Sequence, residues 1–117
     1  MKFALLIRGV AAGQRSTALA FAEEALAQGH QILQIFFQSD GVHQANRLGA
    51  PPPAEFNAAG AWSEFAASRN IDLVLCGTAG LRRGVREANL APGFRISGVG
   101  QWLEASLQAD RIIIFGS

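Results

Sequence analysis

The chain is short of charge, of cysteine and of long apolar runs. Only 16% of its 117 residues are charged, ten basic against nine acidic, for a net charge of +1. No Lys/Arg run is present, so a long phosphate-tracking face is excluded and direct nucleic-acid binding is not expected. A single cysteine, Cys76, cannot close an internal disulfide, and no Cys/His spacing resembles a metal cluster. A lone thiol suits a reducing cytoplasm. The first apolar stretch, residues 3–7, stops at Arg8, too early for a signal peptide or for a membrane span of roughly 20 residues. It reads as a buried first strand of a cytoplasmic protein with no membrane partner.

What the chain does have is apolar bulk. Half of its residues are hydrophobic, and residues 1–117 are long enough to bury one core as a single domain without metals or disulfides. So apolar a composition, with Phe36-Phe37 and two tryptophans, predicts that partner subunits cover part of the surface.

Short apolar runs alternate with helical segments, the pattern of a parallel sheet with helices on both faces. Strands are predicted at 3–7, 31–36, 71–75, 94–96 and 111–115. Helices are predicted over 16–28, with Leu19, Ala22 and Leu26 at helical spacing and Gly29 closing it, over 56–68 with Phe56, Trp62 and Phe65, and over 101–107 after Ser97-Gly98. The stretch 49–53, with three consecutive prolines, predicts a loop. No internal repeat is visible, and the alanine enrichment means helices and close packing. The fold class is therefore α/β, three layers around a mostly parallel sheet of about five strands.

In such a sheet reactive groups gather beyond the carboxyl ends of the strands. Cys76 falls there, after residues 71–75 and before Gly77-Thr78-Ala79-Gly80-Leu81-Arg82-Arg83, a segment able to wind into a helix with Thr78 near its cap. A sulfur anion at that point meets unpaired N–H groups and the positive end of the dipole. Gly77 and Thr78 supply the turn, and Arg82 and Arg83 add positive charge. Against this stands the commoner fate of a lone cysteine, a small buried hydrophobe, and for the arginines a solvated helix face. Cys76 and Arg82 also match C-x5-R, the spacing with which cysteine phosphatases and arsenate reductases wrap N–H groups around an oxyanion. That pattern is short, Arg83 occupies the place of its usual Ser/Thr, and no resolving cysteine exists.

Other patterns carry less. Residues 9–13 lack G-x-G-x-x-G and a Walker lysine, and Gly98-Val99-Gly100 lacks a third glycine, so both predict close passage of the chain. His30, His43 and the pair Glu23-Glu24 have no partners at useful spacing and read as solvated or capping groups. The scarcity of acid/base groups favours chemistry that needs only a thiol and no cofactor.

Several stretches together resemble the DsrE/DsrF-like family in its TusD/DsrE-type sulfur-relay branch. These are Met1-Lys2-Phe3-Ala4, Ala20-Phe21-Ala22, Gly29-His30, Phe36-Phe37 and Asp40-Gly41-Val42-His43-Gln44-Ala45-Asn46, then Cys76, Leu81-Arg82-Arg83-Gly84-Val85, Ala88-Asn89-Leu90 and Ile96-Ser97-Gly98-Val99-Gly100. The resemblance implies a flavodoxin-like three-layer fold and a persulfide carried on Cys76. It further implies assembly with TusB- and TusC-like subunits in a heterohexamer or with copies of itself, a TusA-like sulfur donor and a TusE-like acceptor, in the relay for 2-thiolation of the tRNA wobble uridine. Sulfur oxidation is the other role found in that family. Two departures from its pattern are expected to matter for docking: Gly77, Thr78 and Gly80 predict a looser turn after the cysteine, and the segment between Val85 and Ala88 is shortened. The readings to be separated are a sulfurtransferase, an oxyanion enzyme and a structural subunit with a packing cysteine.

Overall fold

A computed structural model describes residues 1–10, 16–49 and 56–116. Five strands, β1 (Lys2–Ile7), β2 (Gln31–Phe37), β3 (Leu73–Cys76), β4 (Phe94–Ser97) and β5 (Arg111–Phe115), form one sheet in the order β4-β3-β2-β1-β5. Every pairing is parallel. The helices are α1 (Thr17–Ala27), α2 (Ala58–Arg69), α3 (Gly77–Arg82) and α4 (Val99–Gln108), with 3-10 turns at Ser39–Ala45 and Glu87–Asn89.

The predicted elements are present with boundaries moved by local chemistry. Ser16 caps α1, its hydroxyl accepting from the Leu19 N–H at 3.1 Å, and Gly29 takes φ +87° just beyond the helix, where a side chain would be strained. Asn57 caps α2, so Phe56 precedes the helix rather than opening it, and Asn70 ends it in the left-handed region. Strand β3 starts at Leu73, because the Ile71 N–H closes α2 onto the Ala66 carbonyl and Asp72 turns its carboxylate to Arg95. It also runs one residue further than predicted, to include Cys76. The predicted 49–53 loop lies outside the described residues from Ala50 onward, as do Ala11, Ala12 and Gly13 of the first glycine stretch.

Alternation along β2 divides the core. Phe37 points to one face and meets Trp62 of α2 edge-on at 5.4 Å, while its neighbour Phe36 points to the other and stacks on Trp102 of α4 at 5.5 Å. Phe3 of β1 packs on Phe21 of α1, on the Phe37 side. Helices α1 and α2 thus cover one face and α4 the other, a three-layer arrangement. Handedness explains the division. Successive crossovers β1-α1-β2 and β2-α2-β3 advance in one direction across the sheet, and right-handed connections keep their helices on one face. The return from β4 to β5 runs the opposite way, so α4 must cross to the other face.

Phe36, Phe37 and Trp62 are fully buried in this core and Trp102 is half-buried. These aromatics, part of the apolar excess noted in the sequence, are consumed mainly inside the chain. The largest group of exposed apolar residues lies on α4 and the edge strand, at Val99, Leu103 and Leu107, and at Ile112 and Ile114, the last 62% exposed.

Candidate functional site

Cys76 is the last residue of β3 and the N-cap residue of α3. The run Leu73–Cys76 is buried throughout because its strand is second from the edge, flanked by β2 and β4. The thiol-bearing residue retains 8% exposure. By alternation Cys76 shares a face with Val74, and its ladder partner on β4 is Ser97. Residue by residue, the carboxyl ends of β3 and β4 thus present a thiol beside a hydroxyl.

This rung is also where the connections diverge. The chain leaving β3 enters α3, which packs on the Ser39–Ala45 turn on the α2 side, whereas the chain leaving β4 crosses to the opposite face as α4. Adjacent strands whose continuations part in this way leave a crevice at their carboxyl ends, the usual ligand position in open α/β sheets.

The segment after the cysteine winds into a helix, as its sequence allows, and not into the looser turn that Gly77, Thr78 and Gly80 suggested. The glycines have packing roles. A Cβ on Gly80 would stand 2.6 Å from the Val85 carbonyl oxygen, and the Val85 N–H donates to the Gly80 carbonyl at 2.8 Å. Gly84, at φ +73°, makes the turn that permits this return. Gly77 lies against Ile96, 3.2 Å from where its Cβ would be. Thr78 sits exposed in the first turn and is not the cap; that position belongs to Cys76, whose side chain caps no N–H.

The arginines separate. Arg83 is engaged by Asp40, Nε to Oδ1 at 2.8 Å, and donates to the Ala79 carbonyl, so its charge is matched within the chain. The same contact, a hydrogen bond first and charge attraction second, holds the Asp40 carboxyl below its usual pKa. Arg82 is exposed and has no ion pair among the described residues. An open cleft of about 280 Å³ borders the site, lined by Gly77, Leu81, Val85, Arg86, Glu87 and Ile96. Its floor is apolar, with Leu81 69% exposed.

Helical winding over Gly77–Arg82 decides against the C-x5-R reading. Wrapping an oxyanion requires the intervening N–H groups to converge from a loop, and here the later ones point along the axis into helical hydrogen bonds. His30 engages the N-terminal amine at 2.9 Å, His43 is exposed, and Glu23 and Glu24 are exposed on α1, in keeping with their minor expected roles. Gly9 packs against Gly116, and its carbonyl accepts from Gln44. Sequence reasoning missed Ser97 as a neighbour of Cys76, although it stood within the quoted Ile96-Ser97-Gly98-Val99-Gly100. Strand register alone links the two.

Fold and site together define a parallel α/β protein with a lone, sheltered thiol at a divergence of strand connections. The profile of the DsrE/DsrF-like family matches residues 1–115, and the chain belongs to that family. It is 41% identical to the putative sulfurtransferase DsrE of Allochromatium vinosum over 99% of both chains. It is 39% identical to the sulfurtransferase TusD of Cronobacter sakazakii, over 98% of this chain and all of that one. With the TusD of Sodalis glossinidius it shares 41% over 98% of each. Among solved structures, the ychN protein of E. coli superposes with a TM-score of 0.79 at 22% identity, covering 98% of this chain and all of that one. A protein of unknown function from Methanobacterium thermoautotrophicum gives 0.75 at 16% identity, over 97% and 98%. These structures share the fold. Sulfur transfer is the activity class to which the chain belongs.

Proposed function

We propose that Cys76 carries the transferred sulfur as a persulfide. One observation supports this most directly: the only cysteine of a chain in a sulfurtransferase family stands at the carboxyl end of an interior strand, where the sheet opens its crevice. The thiolate of Cys76 attacks the outer sulfur of a donor persulfide, a new S–S bond forms, and the donor leaves as its thiolate. An acceptor thiolate then repeats the exchange. The chain's contribution is shelter, through near-complete burial of Cys76, with an apolar cleft beginning at the next residue, Gly77. No cofactor enters this exchange. Gly77 and Thr78 supply the first turn beside the sulfur, while Arg82 adds a diffuse positive potential.

The donor is a TusA-like carrier and the acceptor a TusE-like protein, in the cytoplasmic relay that delivers sulfur to the tRNA wobble uridine. The exposed apolar face of α4 and β5 is the surface for TusB- and TusC-like subunits or further copies of this chain. After incubation with a cysteine desulfurase and cysteine, the intact mass should rise by one sulfur atom and fall back with reductant, and Cys76→Ser should never rise. A wild-type mass unchanged under conditions that charge a known carrier refutes the reading. The relatives include both TusD and DsrE at about equal identity, so the pathway is tested in cells: loss of the gene should deplete 2-thiouridine in tRNA, whereas intact thiolation with impaired sulfur oxidation assigns the other branch.

A further inference from the structure

We infer that Ser97 is the group that holds the loaded sulfur, its hydroxyl donating a hydrogen bond to the outer sulfur of the Cys76 persulfide. The inference rests on the proposed role of Cys76 and deepens it. Three observations, taken with ordinary strand and S–S dimensions, converge on Ser97. It is the ladder partner of Cys76 on the same face of the sheet. Adjacent strands are about 4.8 Å apart, and a second sulfur extends the cysteine by about 2 Å, which brings the outer sulfur within reach of a neighbouring hydroxyl. Ser97 is half-buried, and its hydroxyl makes no hydrogen bond to any described residue. Finally, Ser97 immediately precedes α4, whose N-cap is Gly98, a residue with no side chain to satisfy the first-turn N–H groups.

The start of α4 is fixed in place. Arg95, two residues before Ser97 and on its face of β4, grips Asp72 through two hydrogen bonds of 2.8 and 2.9 Å and also donates to Gln101 in the first turn of α4. Cβ atoms built on Gly98 and Gly100 would meet nothing within 4 Å, so the start of α4 is uncrowded. The residues Ile96-Ser97-Gly98-Val99-Gly100 thereby gain a shared purpose: a strand end that offers a hydroxyl, then an uncapped and uncrowded helix start.

In the exchange, the pair of electrons from the Cys76 thiolate forms the new S–S bond and the donor's S–S pair departs with its thiolate. No oxidant is needed. The persulfide left on Cys76 bears its negative charge on the outer sulfur, and the Ser97 proton is shared with that charge without being transferred. Because the contact exists only when the outer sulfur is present, Ser97 stabilises the loaded state and leaves the empty thiol alone.

The test uses glutathione persulfide as donor and measures, by intact mass, the equilibrium between loaded and empty protein across glutathione persulfide to glutathione ratios. Loss of a charge-assisted hydrogen bond should lower the loading constant of Ser97→Ala about tenfold, and Ser97→Thr, which keeps the hydroxyl, should recover it. Alkylation of the empty thiol by iodoacetamide should proceed at one rate in all three proteins. Equal loading of wild type and Ser97→Ala overturns the inference while leaving Cys76 as carrier. So does a loss in Ser97→Ala that Ser97→Thr fails to restore and that alkylation shares, since that pattern marks a general disturbance of the strand end. Wild type that never loads removes the carrier reading itself, and this inference with it.

Discussion

At the scale of single residues, charge around the site is local and specific. Asp40 and Arg83 neutralise each other on the surface, which leaves Arg82 as the only unpaired arginine on α3 among the described residues. A persulfide sulfur is a diffuse anion without the paired oxygens that match a guanidinium fork. Arg82→Lys should therefore retain most sulfur loading, and phosphatase turnover on an aryl phosphate should be absent in wild type and variant alike; turnover lost in Arg82→Lys would restore the oxyanion reading. The Asp40 contact has a pH signature. A carboxyl whose folded pKa lies below its unfolded value stabilises the fold fully above the unfolded value, about 3.9, and that stabilisation fades as pH falls through the folded value. Wild type should thus exceed Asp40→Asn slightly in denaturant midpoint at neutral pH, the contact being exposed, and the two should converge below about pH 3.9.

Elements are joined by a small number of buried polar links. The Trp62 indole N–H on α2 donates to Gln44 Oε1 at 2.8 Å, and Gln44 Nε2 donates to the Gly9 carbonyl beyond β1, also at 2.8 Å. Gln44 is buried and both of its polar atoms are satisfied, so one side chain ties α2, the Ser39–Ala45 turn and the end of β1. That turn approaches β1 closely: Gly41 lies against the Ile7 carbonyl with no room for a Cβ. Replacing Gln44 by leucine keeps the bulk but strands the Trp62 N–H and the Gly9 carbonyl, a loss of about 1–3 kcal/mol for a buried group left unpaired. Urea unfolding followed by tryptophan fluorescence would measure it, and a change within error would show that water replaces both bonds.

For the molecule as a whole, the uneven distribution of apolar surface matters most. The α4 face is covered by one helix whose own outer side carries Val99, Leu103 and Leu107, with Ile112 and Ile114 bare beside it on the edge strand. Exposed apolar groups clustered on a chain with so few charges make this face the one whose burial is to be tested. Light scattering at micromolar concentration should find the chain associated, alone or with TusB- and TusC-like subunits, and Ile114→Lys should shift it toward monomer without changing its secondary structure. A wild-type monomer under both conditions contradicts the assignment. No described helix is long and apolar enough to cross a membrane.

The sequence by itself determined the elements. Period and run length marked five strands and three of the four helices, because burial leaves a local imprint of apolar spacing, and Ser16, Gly29 and Asn70 act through their immediate neighbours. It also singled out Cys76, since a lone thiol after an apolar strand is visible without any long-range information. Tertiary structure decided everything that depends on register and packing. The segment 77–82 reads as able to wind into a helix but also as a looser turn, and the choice rests on packing: Gly80 lies against the carbonyl of Val85, a contact formed only when the chain folds back. Phe36 and Phe37 read alike in sequence and point to opposite layers. Ser97 stands 21 positions from Cys76 along the chain and beside it in space, because parallel pairing sets residues side by side by strand alignment, and no local pattern records that alignment.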